Sequence, residues 1–380
     1  MRSSRHFSRR SKRGADAIYV PALRLKTAEV WSLARMSADA ASRTTPLVVL
    51  TPNRVKSKKR KVPGAPDVIV PPPTLDEHVA KMARRLRASL LREAPLLRPA
   101  PERVFVDVAE LDRRAKTSTF ERFDALVATV GGLVPVVRVN YAQSSSDVAA
   151  AARVVARRQA GVALRLRVPR FGSDIPTPAA IAVVMKACGC SHQDADLVLD
   201  IGEVNRFSVA SCTAKLISAL RLFARAPWRS VTVLSGGFPK SLKDVALDRK
   251  TSLPRWCVAL FAEVARAHDA PLRLGDYGPR HPALRDGGPG GSIPNVVYAT
   301  DDSWSVQRQD VSHSGLPPYR ELWSAARGWD EYDGADFSYG DALLDDIATG
   351  ARNAGNSTTA LKVAFSHHIE HTSRRTSGSG

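Results

Sequence analysis

Charged and amide side chains stand at or just past the ends of several short Val- and Leu-rich runs. Asp107, Arg138, Asn140, Arg165, Arg167, Asp200 and Asp276 are all placed this way. If the runs are strands that finish at one face, these groups converge there. Two chemistries suit such a set. Arg138, Arg165 and Arg167 can fork onto a phosphate or carboxylate, each guanidinium giving two parallel hydrogen bonds. Asp107, Asp200 and Asp276 are the catalytic candidates, as a general base or as ligands of a divalent cation. A plainer arrangement answers the same pattern: Asp–Arg pairs that satisfy one another and close the end of the sheet. Alternation puts Arg165 and Arg167 on one face of their strand without saying which face.

Other segments offer weaker chemistry. Ser235–Pro239 reads SGGFP, and the backbone amides of Gly236 and Gly237 can receive an anion. No Gly-Lys-Ser/Thr follows, so this is not a P-loop. Gly275–Gly278 reads GDYG and runs on into PRHP, which brings Tyr277 and His281 to the same region as substrate contacts. Near the end, FSHHIEHT holds His367, His368 and His371. On a strand, His367 and His368 would face opposite sides and at most one would reach a site. The metal ligands stay undefined, with a divalent cation compatible. Cys188 and Cys190 form C-G-C with no second cysteine pair nearby, so reduced thiols are expected there and at Cys212 and Cys257.

The elements that must position these residues alternate along the chain. Strand patterns fall at Tyr19–Leu25, Pro46–Thr51, Val104–Val108, Val134–Val139, Val162–Val168, Leu197–Ile201, Ser230–Leu234 and Leu272–Leu274. They are nearly continuous in apolar character, as strands buried on both faces are. Helical spacing recurs between them, at Thr27–Ala40, Leu75–Arg92, Thr117–Val130, Ser146–Gln159, Pro178–Ala187, Val209–Ala224 and Arg255–His268. Eight strand–helix alternations predict an α/β fold, a (β/α)₈ TIM-barrel-like domain over residues 17–285, with an open sheet as the alternative. Residues 286–375 read as a C-terminal β/α extension packed on the barrel: one strand at Asn295–Ser305 and helices at Pro318–Gly328 and Asp341–Ala348. Residues 1–16 read as a flexible, disordered basic arm and 376–380 as a flexible tail.

Composition bounds the partners. Lys and Arg number 56 against 37 Asp and Glu, a formal charge of +19, and hydrophobic residues reach 44%. The apolar share excludes a disordered chain, and the charge favours nucleic acid or another polyanion. The charge is clustered. Six of the first thirteen residues are basic, Arg9, Arg10, Lys12 and Arg13 among them. Residues 54–61, RVKSKKRK, hold Lys56, Lys58, Lys59, Arg60 and Lys61, followed by a Pro-rich stretch that stays extended. These basic residues are the candidate nucleic-acid contacts. No run is long and apolar enough for a membrane span and no secretory signal is seen, so a cytoplasmic protein without a transmembrane segment is expected.

A family resemblance runs through the same segments. YVPALRLK, PLVVL, TLDEH, LVLDIG, SGGFP, GDYG, YATDDSW, GADFSYGD and the TT…HH ending occur in order over roughly residues 18–372. This ordered set resembles the phage-associated beta-protein family. The resemblance implies phage, prophage or antiviral-defence surroundings, with protein partners from such a system. It brings no activity and no catalytic residue. The basic N-terminal arm and the RVKSKKRK insertion depart from the family pattern. The expected function is therefore a barrel protein that binds nucleic acid or another polyanion and acts on a phosphate-containing substrate at the C-terminal barrel face. An enzyme on a small phosphorylated metabolite or nucleotide is one alternative, and a non-catalytic scaffold or sensor subunit is another.

Overall fold

A computed structural model describes residues 18–52, 58–62, 65–70, 72–90, 100–111, 119–139, 145–169, 177–283, 293–310 and 318–375. The expectations for the arm at 1–16 and the tail at 376–380 fall outside these residues, as do Asn140 and Lys56.

The strands follow in chain order: β1 (Tyr19–Leu23), β2 (Leu47–Val49), β3 (Lys58–Val62), β4 (Ala65–Val70), β5 (Val104–Asp107), β6 (Leu133–Arg138) and β7 (Val162–Arg167). After them come β8 (Ala195–Glu203), β9 (Ser230–Gly236), β10 (Thr251–Pro254), β11 (Arg273–Asp276), β12 (Asn295–Ala299) and β13 (Ser303–Arg308). Eight of them, β1, β2, β5, β6, β7, β8, β9 and β11, close into a barrel in that order, with β11 returning to β1. Every pairing in the barrel is parallel. The fold is an α/β barrel of the TIM type, and its eight strands are those expected from the apolar runs. Alternation divides each strand. Val20, Leu47, Phe105, Val136, Ala163, Val198 and Leu234 fill the barrel interior. Leu23, Val48, Val106, Leu164, Leu199 and Val233 face outward into the layer beneath the helices.

The helices are α1 (Thr27–Leu33), α2 (Ala38–Arg43), α3 (Leu75–Leu90), α4 (Thr119–Leu126), α5 (Ser145–Arg158), α6 (Pro178–Cys188), α7 (Val209–Phe223), α8 (Trp256–Arg266), α9 (Pro318–Arg327), α10 (Tyr339–Ala348) and α11 (Ser357–Arg375). Helix α6 carries its own stop and start signals. Thr177 caps its first turn by accepting from the Ala180 amide, Pro178 sits where no amide donor is needed, and Gly189 ends it at φ 63°. The stretch Thr27–Ala40, expected as one helix, is two. Ser37 interrupts it as the N-cap of α2, and Glu370 of α11 binds both its amide and its hydroxyl, at 2.6 and 2.7 Å.

The C-terminal region differs most from expectation. Asn295–Ser305 is not one strand but the hairpin β12–β13. Thr300 Oγ1 accepts from the Ser303 amide, and the chain reverses at Asp301–Asp302. β13 also pairs with β10, a strand not foreseen, so a three-stranded antiparallel sheet is anchored in the β9–α8 connection. The FSHHIEHT segment is helical and lies inside α11, a helix of 19 residues. Phe365 and Ile369 of α11 enter the outer apolar layer of the barrel, and α11 packs on α1 and β1. It thereby takes the place of the eighth barrel helix. Among the described residues, no helix is long and apolar enough to cross a membrane.

Candidate functional site

The C-terminal mouth of the barrel is built from inward-facing strand ends. Register sets Arg138 beside Arg165 and Arg167 beside Asp200. Asp107 ends β5, fully buried. Arg138 Nε donates to Asp107 Oδ2 at 2.8 Å and its Nη1 donates to Glu110 at 2.6 Å. Arg165 bridges both aspartates. Its Nη1 donates to Asp107 Oδ2 at 2.7 Å and its Nη2 to Asp200 Oδ2 at 2.6 Å. Tyr277 closes the ring through its hydroxyl, 2.8 Å from Arg165 Nη2 and 3.1 Å from both Asp200 oxygens. Arg167 Nη1 donates to Asp200 Oδ1 at 3.1 Å, and its side chain keeps 36% exposure. Arg165 and Arg167 therefore both face the barrel interior.

A bulge shapes this arrangement. The β8–β9 register shifts between Asp200 and Gly202, and Gly202 takes φ +73° while its amide donates to Asp200 Oδ1 at 2.8 Å. A Cβ at Gly202 would stand 2.2 Å from Arg167 Nη2, so the glycine also makes room for the guanidinium.

Electrostatics give the carboxylates a positioning role. Burial alone would raise the Asp107 carboxyl, but Arg138 and Arg165 hold it below the ordinary range. Asp200 is held down in the same way by Arg165 and Arg167. Neither is tuned upward as a general base near neutral pH would be. Burial pushes the Tyr277 phenol well above its usual value; Arg165 opposes this, and the negative charge of Asp200, which repels a phenolate, adds to it. The mouth is a set of fixed guanidiniums held by ionised aspartates.

Asp276 does not join it. It points outward from β11, away from Asp107 and Asp200. Tyr19 Oη donates to it at 2.6 Å, His368 Nε2 lies 3.0 Å away, and Arg255 Nη2 3.5 Å away. The correction follows from period-2 phase: Tyr277 faces the interior, so its neighbour Asp276 cannot. His281 lies at the rim, with Nε2 3.2 Å from Glu203. Gly236 and Gly237 serve close packing. A Cβ on Gly236 would collide with the Pro282 ring at 2.2 Å, and one on Gly237 would lie 2.9 Å from the Trp256 amide of α8.

Three contributors are absent from the sequence-based candidates. Arg24, just past β1, is buried and donates through Nη2 to the carbonyls of His281 and Pro282, at 2.9 and 2.5 Å. Its signal is a charge at the end of an apolar run, as on the other strands. Glu110 carries no such pattern. Phe207, in the connection from β8 to α7, is 82% exposed, with the Arg206 guanidinium 4.3 Å from its ring centre. An aromatic in a polar loop is a signal of its own. The connection from β2 to α3 leaves the same end of the barrel and carries RVKSKKRK. Within it β3 and β4 form an antiparallel hairpin, Lys58 opposite Val70.

Cys188 and Cys257 offer no competing site. Burial pushes Cys188 and Cys257 up to about 11, far from a reactive thiolate at neutral pH.

A family model described as "Beta protein" matches residues 19–374, nearly the whole chain. The chain belongs to the Beta protein family. This member is also similar to Protein beta of Enterobacteria phage P4, at 22% identity over 296 residues, covering 77% of this chain and 75% of the phage protein. No solved structure matches it. The family match spans the whole barrel and α11 together, ending one residue short of the helix terminus.

Proposed function

We propose that the C-terminal face of the barrel binds a polyanion, nucleic acid first, and takes one of its phosphates at the arginine-lined mouth. One observation carries this reading. The connection bearing RVKSKKRK leaves the barrel at the end where Arg138, Arg165 and Arg167 converge and where Phe207 is exposed. A backbone crossing the basic hairpin is led toward guanidiniums that are already oriented, so little ordering remains to be done on binding. Phe207 supplies a flat apolar surface on which an unpaired base can stack. Charge location agrees with this. Residues 1–13 and 54–61 hold twelve Lys and Arg and no acid, so the rest of the chain carries only +7 of the +19.

Binding of labelled single- and double-stranded DNA and RNA across a salt series tests the reading. The wild type binds with a steep salt slope. Replacing Lys56, Lys58, Lys59, Arg60 and Lys61 by Glu lowers the slope by about one for each phosphate that is no longer neutralised. Phe207→Ala weakens single-strand binding by about 1–3 kcal/mol and leaves duplex binding unchanged. Affinity and slope unaltered by the charge reversal would sink the proposal. A thermal shift with mononucleotides, without binding to long strands, would point to a small phosphorylated ligand at the mouth instead.

A further inference from the structure

The residues on α11 gather a second polar centre, away from the barrel mouth. His367 and His371 are one helical turn apart, so both rings lie on one face of α11, stacked with centroids 5.4 Å apart. Asp333, in the connection from α9 to α10, approaches them, its Oδ2 3.8 Å from His371 Nδ1. Asp301, in the turn of the β12–β13 hairpin, places Oδ1 3.2 Å from His371 Nε2. One donor atom each from Asp333, His367 and His371 lie within 4.8 Å of one another. We propose that Asp333, His367 and His371 bind a divalent transition-metal ion of the zinc class.

The donor set carries the class of ion. Two imidazoles with one carboxylate suit Zn²⁺ and its neighbours, whereas Ca²⁺ and Mg²⁺ favour all-oxygen shells. The surroundings fit as well. His371 Nε2 is buried and makes no hydrogen bond, although a carboxylate stands beside it. His367 is wholly buried with Nε2 2.9 Å from the Ala299 carbonyl and Nδ1 3.1 Å from Asp341 Oδ2. Both of those partners are acceptors. A neutral ring donates to only one of them, so its other nitrogen is open to a second proton or to a metal cation. With the ion bound, one ring nitrogen keeps its acceptor as the outer hydrogen bond common around metal-bound histidines, and the other turns to the metal. Asp341 is itself fixed by the Tyr298 hydroxyl at 2.7 Å. Tyr298 and Phe337 wall the site with aromatic surface, while Asp301 and Asp333 open to solvent and give the ion its entry. Two segments distant in sequence, the α9–α10 connection and α11, would be tied by one ion.

The test uses the untagged full chain, stripped with a chelator and titrated with Co²⁺ while the visible absorption of ligand-field bands is recorded. One equivalent of Co²⁺ saturates the wild type and Zn²⁺ displaces it. His371→Ala and Asp333→Asn each lower Co²⁺ affinity by about 100-fold, and His192→Gln leaves it unchanged. Asp333 is partly exposed, so the Asn variant keeps the fold, which melting in the absence of metal verifies. Absence of saturable uptake by the wild type, or equal uptake by the two ligand variants, overturns the assignment.

Discussion

The two ends of the barrel are closed by the same pair of residue types and differ in what they leave accessible. At the N-terminal floor, Asp196 points inward and is fully buried. Arg229 Nη2 donates to it at 2.6 Å, Arg103 Nη1 at 3.1 Å, and the Ser230 hydroxyl at 2.5 Å. The short αβ connections run directly into these strands, with Gly161 at φ +76° so crowded that a Cβ would lie 2.9 Å from Arg229. At the mouth, Asp107 and Asp200 gather Arg138, Arg165 and Arg167 in the same manner, yet Arg167 stays partly exposed. Asp–Arg pairing is thus what a polar barrel end needs structurally, and it does not by itself mark a site. What marks the mouth is the bulge at Gly202 that clears space for a guanidinium, and the exposure that Arg167 keeps there. The floor serves as an internal control for any functional claim about the mouth.

Variants at the two ends break or sharpen this contrast. Asp196→Ala is expected to have the largest effect. It strands two guanidiniums around an emptied position and lowers unfolding free energy by about 3–5 kcal/mol in urea titrations. Polyanion affinity per folded molecule stays at the wild-type value. A loss of affinity there would erase the distinction between the ends. Arg165→Met comes next, at about 3 kcal/mol, because it removes a shared partner of two buried carboxylates. Its pH dependence carries the sign. Asp107 and Asp200 have depressed folded values, so their stabilisation is complete above about pH 4 and fades as pH falls through those lower values. Without Arg165 both carboxyls rise, and melting temperatures recorded against pH show the acid decline beginning at higher pH. Gly202→Ala has the smallest effect on stability, about 1–2 kcal/mol from the positive φ. It pushes the Arg167 guanidinium aside and so weakens polyanion binding, a separation of effects that no floor variant produces.

Much of this architecture is legible in the amino acids. The barrel strands are short and rich in Val and Leu, so all eight stand out as nearly continuous apolar runs between helical patterns. The charges at their ends are legible for the same reason: a charge interrupts an apolar run visibly. Facing is not legible. Asp276 and Tyr277 are adjacent, and only the closed barrel decides which of them looks inward. Asn295–Ser305 reads as one strand because Asp301–Asp302 carries neither Gly nor Pro, and the turn relies instead on Thr300 binding Ser303. Strand spacing is the wrong period for the histidines. On a helix the same residues resolve into His368 bound to Asp276 on the barrel side and His367 bound to Asp341 on the extension side. Their carboxylate partners lie 92 and 26 residues away, beyond the reach of local patterns.

His368 has a further consequence, for the order of events during synthesis. Its Nε2 sits 2.9 Å from the hydroxyl of Tyr19, at the start of the first strand, across 349 residues of chain. Strand β1 is made long before α11, so Tyr19 waits for the imidazole that partners its hydroxyl. Until then the outer wall beside β1 lacks α11, and its completion is a late, long-range event. A ribosome that stops before residue 357 would release a nearly complete barrel lacking its last wall, a species suited to capture by chaperones or proteases rather than to slow refolding.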